Sequence, residues 1–328
     1  MILETINFIK NNNEWKELLS KPPYSLDIKE DDNYYLLKYK MIESDFSNNI
    51  VKECRGLVID KDTLNPVALS FKKFFNVQES KAAKIDWFSA KVQEKVDGSK
   101  ILLFWDKYNN NWRVCTSGTL NAYETNILDY NLSFGDLFDK SIINIGMEDF
   151  SAFSILLDKD YCYTFELVSP ESRIVVPYKE TKIYFIGARN ITNFDEYDPD
   201  LFTNLCDKID RPKEYKLNNL DKCLEATSKM GYDEEGFVVV DKNWDRIKIK
   251  SPSYVVGHNM RMNNGVSLKR IVDMVDLNIQ DDFLAIYPEY KSYFDSIINK
   301  RSNFLNYAIG AYNNLRNKNI FYRSKEYN

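Results

Sequence analysis

The sequence has little histidine, no closely paired cysteines and no long apolar run. His258 is the single histidine, so a histidine-rich metal site is excluded and a Ser-His-Asp triad would depend on that one residue. The five cysteines are odd in number and none belongs to a CxxC pair, which argues against a disulfide framework and against a zinc site. Any catalysis is therefore expected to depend on Lys, Arg, Asp and Glu.

Membrane and secretion signals are also missing. No apolar run approaches the roughly 18 residues that a membrane-spanning helix needs, and Glu4 stands where a signal peptide would be basic. We expect a soluble, cytoplasmic protein that does not contact a membrane, and we predict a monomer.

Two common nucleotide-binding motifs do not occur. The chain contains neither GxxxxGK[ST] nor GxGxxG, so the P-loop and dinucleotide-binding classes lose support. Nucleotide chemistry here would need a different binding site.

The chain is acidic, but its charge is unevenly placed. The net charge is −5, whereas the stretch from Lys300 to Asn328 holds six basic residues and one acid. Because net charge averages over local fields, this end could contact RNA. A solvated helix face explains it equally well.

Patterns of apolar residues predict an α+β protein with a helical end. Alternation with a period of two predicts strands at 34–39, 56–59, 67–71, 101–105, 112–116, 161–168, 174–176, 183–187, 237–240 and 247–249. Helical spacing is present near 1–18, 134–155, 197–209 and 218–230, and it dominates after Pro252. Since Gly257 and Asn263 to Gly265 interrupt regular structure, we place a boundary near 252–264. The prediction is a first domain at 1–254 and a small all-helical domain at 255–328.

Lys95 begins the run Lys95-Val96-Asp97-Gly98-Ser99, which lies between two predicted strands. A lysine at a strand end, followed by a tight turn at Gly98, is a candidate for a functional site. Taken alone, the run is equally compatible with an ordinary exposed turn.

Two further strands carry charge on one face. Glu166 shares a face with Thr164, opposite Phe165 and Leu167, where a carboxylate needs a partner or a function. In Arg246 to Lys250, three cations alternate with two isoleucines at intervals of about 7 Å, so they are expected to share an anion such as a polyphosphate. A solvated sheet face is the alternative for both strands.

Glu235 precedes a strand just upstream of those cations. A carboxylate close to bound phosphate is a typical setting for Mg²⁺, which prefers oxygen ligands.

Taken together and in order, these segments resemble the covalent nucleotidyltransferases, the superfamily of ATP-dependent ligases and RNA capping enzymes. They are most similar to the RNA ligase 1 family of tailed phages, which repairs cleaved tRNA. The resemblance covers residues 34–290 and rests on Glu53 to Gly56, Lys73 to Asn76, Lys95 to Ser99, Phe165 to Pro170 with Arg173 to Val175, Glu235 to Val238, and Lys248 to Ser251.

The resemblance implies a nucleotidyltransferase fold of antiparallel sheets with flanking helices. It implies ATP as a substrate, Mg²⁺ or Mn²⁺ as a cofactor, and RNA with 5′-phosphate and 3′-hydroxyl ends, cleaved tRNA among them, as the partner. An end-healing kinase-phosphatase would be a second partner, and the compartment would be the host cytoplasm for a phage- or virus-encoded chain. The implied roles are Lys95 as the nucleophile, Tyr39, Arg55, Lys73, Glu166, Lys248 and Lys250 as ATP-binding residues, Glu235 and Asp281 as metal ligands, and Tyr254 in the RNA steps.

The chain departs from the family at two places. Ser117 stands where the family can carry a lysine, and the helical region after residue 255 is shorter than in the phage tRNA-repair enzymes. Because of these two departures, the resemblance does not identify the RNA that is the natural substrate.

The implied mechanism requires a deprotonated lysine. Because a free lysine has a pKa near 10.4, we expect Lys248, Lys250 and Mg²⁺ to lower the pKa of Lys95. The alternatives are a DNA ligase or capping-type nucleotidyltransferase, in which a β-rich domain typically follows the Lys-x-Lys block, and a non-catalytic RNA-binding protein on the same fold.

Overall fold

The computed structural model describes residues 3–127, 130–261, 271–272, 275, 280, 284 and 290–317. They divide into two compact units, Met1–Tyr254 and Val255–Asn328. Asp281 lies outside the described residues, as do most of the residues from 262 to 289. None of the described helices is long and apolar enough to cross a membrane.

Three β-sheets form the first unit. The first sheet has the order β1-β2-β3-β4, with strands Leu26–Glu30, Tyr34–Tyr39, Arg55–Asp60 and Pro66–Ala68. The second has the order β11-β10-β9-β7-β8, with β7 Ser99–Asp106, β8 Asn111–Thr116, β9 Tyr161–Val168, β10 Lys182–Asn190 and β11 Glu196–Tyr197. The third has the order β12-β6-β13-β14-β5, with β5 Phe75–Asn76, β6 Lys91–Glu94, β12 Glu214–Tyr215, β13 Gly236–Val240 and β14 Arg246–Lys250.

Helices flank these sheets and continue into the second unit. They are α1 Glu4–Asn11, α2 Trp15–Ser20, α3 Asn49–Glu53, α4 Phe134–Asn144, α5 Phe150–Ser154, α6 Thr203–Cys206, α7 Leu220–Ser228, α8 Pro252–Arg261 and α9 Lys291–Asn317, with 3₁₀ turns at Ala122–Glu124 and Pro199–Leu201. The α+β prediction is confirmed. One pair departs from the antiparallel expectation, because β14 pairs with β5 in parallel.

The apolar faces of the second sheet pack into one large core. Ile101, Leu103, Phe165 and Phe185 are fully buried there against α4 and α5. Burial of such side chains is the main stabilising contribution to a fold of this kind. The opposite faces of β7 and β9 bury Leu102, Phe104 and Cys162 in a second core, and only part of those faces carries charge, at Lys100 and Glu166.

The predicted strand at 174–176 is wrong. These residues form a loop, in which the backbone N–H groups of Val175 and Val176 both donate to Asp97 Oδ2 at 2.8 Å. Buried backbone N–H groups need an acceptor, and the Asp97 carboxylate supplies one where a neighbouring strand otherwise would. The two valines can therefore be buried although they belong to no sheet.

Candidate active site

Lys95 lies in the turn that passes from the third sheet to the second. Strand β6 ends at Glu94 and β7 begins at Ser99, so Lys95 to Gly98 connect the two sheets. The backbone N–H of Lys95 donates to the carbonyl of Gly236 at 2.8 Å, which fixes the lysine beside β13. A Cβ on Gly98 would lie 2.4 Å from the carbonyl oxygen of Leu167, so only glycine allows this turn to approach β9 so closely.

A cleft of about 280 Å³ opens in front of this turn, and we call it the nucleotide cleft. Four of the predicted site residues line it, namely Lys95, Arg55, Glu166 and Lys248. Apolar walls are supplied by Phe71, Phe74, Val96, Ile186, Pro212 and Val238. A concave site with apolar walls and a few convergent charged groups is the usual form of a small-ligand site.

Glu235 holds two lysines of the site together. Its Oε2 atom lies 2.7 Å from Lys95 Nζ and its Oε1 atom lies 3.0 Å from Lys250 Nζ, with the Glu235 side chain only 3% exposed. Burial alone would lower the pKa of Lys95, but the carboxylates of Glu235, Glu166 and Asp97 outweigh it, so the pKa is raised. Among the protein's own groups, a carboxylate rather than another lysine is the charge nearest to Lys95, so these groups act on its pKa in the direction opposite to that expected of Lys248 and Lys250.

Glu166 is a buried carboxyl group in the middle of the second sheet. In the strand register it lies opposite Lys100 of β7 and Tyr184 of β10. Burial raises the pKa of Glu166 to about 7, and the attraction of Lys95 opposes this shift. The positive charge that favours the ionised form of Glu166 is therefore chiefly that of Lys95, which lines the same cleft.

Lys100 is a residue of the cleft that the sequence analysis missed. Its Nζ donates to the carbonyl of Arg55 at 3.1 Å and also to Ser70 Oγ. Burial, and then the charge of Arg55, hold the pKa of Lys100 well below its usual range. A signal was present, because Lys100 begins the strand face that continues through buried Leu102 and Phe104.

Three cationic side chains in or near the nucleotide cleft are buried without full neutralisation of their positive charge. Arg55 Nη1 is buried without a hydrogen-bond partner among the described residues. Burial, with Lys73, Arg55 and Lys95 adding repulsion, lowers the pKa of Lys248 to about 7, and its ammonium lies 5.1 Å from the ring centroid of Phe74. Burial and Arg55 likewise lower the pKa of Lys73. Cations that are desolvated in this way favour binding of an anion.

The three cations of β14 differ in their partners. Arg246 forms an ion pair with Glu196 at 2.6 Å, and Lys250 forms one with Glu235 at 3.0 Å. Within the described part of the chain, no ion pair joins Lys248 to a carboxylate. Two of the three cations thus have carboxylate partners, and a shared anion such as a polyphosphate stays a prediction.

Five predicted residues of the described part of the chain lie outside the lining of the nucleotide cleft, and the two tyrosines are among them. The ring centroid of Tyr39 lies 5.5 Å from Lys73 Nζ, so the tyrosine packs beneath a cation that itself lines the neighbouring cleft. Tyr254 is 2% exposed, and its hydroxyl donates to Asp97 Oδ1 at 2.6 Å. Tyr254 thus contacts the turn that carries Lys95.

Lysines from the first sheet approach the turn that contains Ser117. Lys29 Nζ donates to the carbonyl of Gly118 at 2.7 Å, and a Cβ on Gly118 would lie 3.1 Å from Lys38 Nζ. Positive charge is therefore present beside this turn although position 117 is a serine.

The arrangement of sheets and the enclosed lysine define the nucleotidyltransferase fold of ATP-dependent ligases. A solved archaeal ATP-dependent RNA ligase (form 2) has the same fold, with a TM-score of 0.52 and 12% identity over 83% of this chain and 76% of that one. A family model described as RNA ligase matches residues 53–254. The chain belongs to this RNA ligase family.

Two relatives agree with the family. A protein of Autographa californica nuclear polyhedrosis virus, named as a bifunctional polynucleotide kinase/RNA ligase, is 30% identical over 285 residues, which cover 83% of this chain and 40% of that protein. An RNA ligase of Rhodothermus phage RM378 is 25% identical over 318 residues, covering 79% of this chain and 71% of the phage protein. The chain thus spans less than half the length of the first relative.

Proposed function

We propose that this protein is an ATP-dependent RNA ligase that joins RNA 5′-phosphate and 3′-hydroxyl ends through a covalent AMP on Lys95. The observation that supports this most directly is the position of Lys95, in the lining of a cleft whose other charged residues are suited to a nucleotide. Membership of the RNA ligase family supports the reaction class. The first domain, residues 1–254, would be the adenylyltransferase domain, and residues 255–328 the helical domain.

The first step is attack of Lys95 Nζ on the α-phosphorus of ATP. A bond forms between nitrogen and phosphorus, the bond to the bridging oxygen breaks, and pyrophosphate leaves. The incompletely neutralised cations Arg55, Lys73 and Lys248 would bind the phosphates and stabilise the negative charge that develops in the transition state. Glu166, held beside Lys100 in the cleft, is the residue we assign to the ribose.

Lys95 must lose a proton before this attack, and Glu235 is the group that opposes the loss. Their 2.7 Å ion pair favours the ammonium form, which is not a nucleophile. Any change that draws the Glu235 carboxylate to another cation would lower the pKa of Lys95. A divalent cation that binds with ATP would be such a cation, so substrate binding would favour release of the Lys95 proton to solvent.

The donor set fits a divalent cation that is bound together with ATP. The described residues contain no group of three or more His, Cys, Asp and Glu side chains that could hold a metal by themselves. Mg²⁺ commonly uses only one or two carboxylates and completes its ligands with water and phosphate oxygens, and Glu235 is such a carboxylate. When bound, Mg²⁺ or Mn²⁺ would neutralise phosphate charge. Asp281 stays a sequence-based prediction.

The later steps transfer AMP to an RNA 5′-phosphate and then release it as a 3′-hydroxyl joins the ends. The relative named as a polynucleotide kinase/RNA ligase supports an end-healing kinase as a functional partner. Cleaved tRNA, a monomeric state and a cytoplasmic location remain part of the proposal.

One assay tests the proposed reaction. The protein is incubated with ATP and either 5′-phosphorylated RNA or the DNA of the same sequence, and adenylylated intermediate and sealed product are separated on a gel. We expect sealed RNA and little sealed DNA. Sealing of DNA nicks in preference to RNA, or transfer of GMP from GTP, would contradict the proposal.

A further inference from the structure

A second cleft, larger than the nucleotide cleft, lies beside it in the first unit. Its volume is about 660 Å³, against about 280 Å³ for its neighbour, and we call it the basic cleft. Phe74 and Arg246 line both clefts, so the two are contiguous across these side chains. A ligand that enters the nucleotide cleft from this side would extend through the basic cleft.

The basic cleft is positively charged on an acidic protein. Six cationic side chains line it against three carboxylates. The cations are Lys52, Lys72, Lys73, Lys81, Arg189 and Arg246. Glu196, one of the carboxylates, is paired with both Arg189 and Arg246, whereas Lys81 is 42% exposed and lies 3.6 Å from its nearest carboxylate, Asp45. A concave surface with excess positive charge concentrates anions.

Trp244 lines the same cleft from the turn between β13 and β14. Its φ of 64° lies in the left-handed region, where a bulky residue is uncommon and glycine or asparagine is usual. The turn is held by Asp241 Oδ1, which accepts hydrogen bonds from the N–H groups of Asn243 (2.9 Å) and Asp245 (3.1 Å). The fold thus maintains an indole at a position that disfavours it, with the Arg246 guanidinium 5.5 Å from the ring centroid and four lysines in the lining of the same cleft.

We propose that the basic cleft binds the single-stranded RNA adjoining the 5′-phosphate end, with Lys52 and Lys81 contacting phosphodiesters and Trp244 stacking on a base. An aromatic ring within a basic groove is the combination that single-stranded nucleic acids require, since the backbone is anionic and each base has a flat face. This inference rests on the proposed function, because the strand reaches Lys95 through the nucleotide cleft. The other phosphate source for the basic cleft is the triphosphate of ATP.

The test measures binding of a short, fluorescently labelled, 5′-phosphorylated single-stranded RNA to the full chain by anisotropy at several salt concentrations. Trp244→Leu removes the ring, Trp244→Phe keeps an aromatic face, and the double variant Lys52→Gln/Lys81→Gln removes two cations. The matched control is Lys222→Gln/Lys242→Gln, which removes two lysines that line neither of these clefts. Lysyl-AMP formation and the melting temperature are measured on every variant.

We expect Trp244→Leu to weaken RNA binding by roughly tenfold and Trp244→Phe to recover most of that loss. The Lys52/Lys81 variant should reduce the salt dependence of the binding constant by about 1.4 in log–log slope, at about 0.7 for each phosphate contact. The control should bind as the wild type does. All of these variants should form lysyl-AMP normally and melt as the wild type does.

Unchanged RNA affinity and salt slope in the folded cleft variants would overturn the inference. A higher ATP requirement for lysyl-AMP formation, with RNA binding intact, would assign the cleft to the triphosphate and also overturn it. Failure of the proposed function is distinct from either result, because wild-type protein would then form no lysyl-AMP.

Discussion

Around Lys95, buried charges differ in how well they are neutralised. Lys95 and Lys250 share the carboxylate of Glu235, whereas Lys248 lies over the ring of Phe74, and the described part of the chain gives it no ion pair. Desolvated cations without a carboxylate are costly unless they lose their proton or acquire an anion. The residues that hold Lys95 as an ammonium and the residues suited to phosphate are therefore different ones.

Replacing Lys248 with methionine should change the protons exchanged when ATP binds. The pKa of Lys248 is lowered to about 7, so near pH 8 the Lys248 side chain is neutral in most molecules. Binding of phosphate should then protonate it. Wild-type protein should then take up close to one more proton than Lys248→Met, and this difference should vanish near pH 6, where Lys248 is already charged. Calorimetry in buffers of different ionisation enthalpy measures the exchange.

The control for this experiment is Lys242→Met, at a lysine that is 65% exposed and lines neither cleft. It should exchange protons as the wild type does. Equal proton exchange by the wild type and Lys248→Met near pH 8 would contradict the assignment of Lys248 to the phosphates.

Among elements, strands with regular alternation were predictable from the sequence and contacts between distant segments were not. β2, β7, β9 and β14 are present where period-two patterns predicted them, because one face of each packs into a core. The strand predicted at 174–176 is a loop because Asp97, far away in the chain, uses its N–H groups. The pairing of Glu166 with Lys100 depends on strand register, which no single segment encodes.

The hydroxyl of Tyr254 in α8 donates to Asp97 in the turn that carries Lys95 and also interacts with Glu235, and Tyr254→Phe removes this hydroxyl. The substitution leaves Asp97 Oδ1 buried without its 2.6 Å hydrogen bond, so the free energy of unfolding should fall by about 1–3 kcal/mol. Lysyl-AMP formation should slow as well, because Asp97 lies in the turn that positions Lys95. Urea unfolding and labelling rates measure the two effects.

Tyr123→Phe is the matched control, since it removes a 2.9 Å tyrosine–aspartate hydrogen bond from a residue that is 42% exposed. It should cost less stability and leave labelling unchanged. Equal losses of stability in the two variants, or a normal labelling rate in Tyr254→Phe, would show that Tyr254 does not position the turn.

For the whole molecule, the proposed adenylyltransferase chemistry lies within one compact unit. Every described residue that lines the nucleotide cleft precedes Val255, where the second unit begins. The family match, residues 53–254, covers the same region. We propose that residues 1–254 perform adenylylation without residues 255–328, and a shortened chain can test this.

A chain that ends after Arg261 keeps the whole of α8, including Tyr254. We expect it to form lysyl-AMP at a rate within a few-fold of the full chain and to seal RNA poorly. Labelling with α-labelled ATP and a sealing assay measure the two activities. Loss of labelling in a shortened chain that melts cooperatively would contradict the assignment of adenylylation to the first unit.

The central claim is that Lys95 carries AMP, and the most direct measurement is covalent labelling with α-labelled ATP and a divalent cation. Wild-type protein should retain label after denaturation, a peptide containing Lys95 should carry the added AMP mass, and Lys95→Ala should retain no label. Lys91→Ala, at the start of the strand β6 that precedes Lys95, is the control that should label normally, since Lys91 is paired with Asp198 at 2.8 Å. Persistent labelling of Lys95→Ala, or AMP found on another residue of the wild type, would contradict the account.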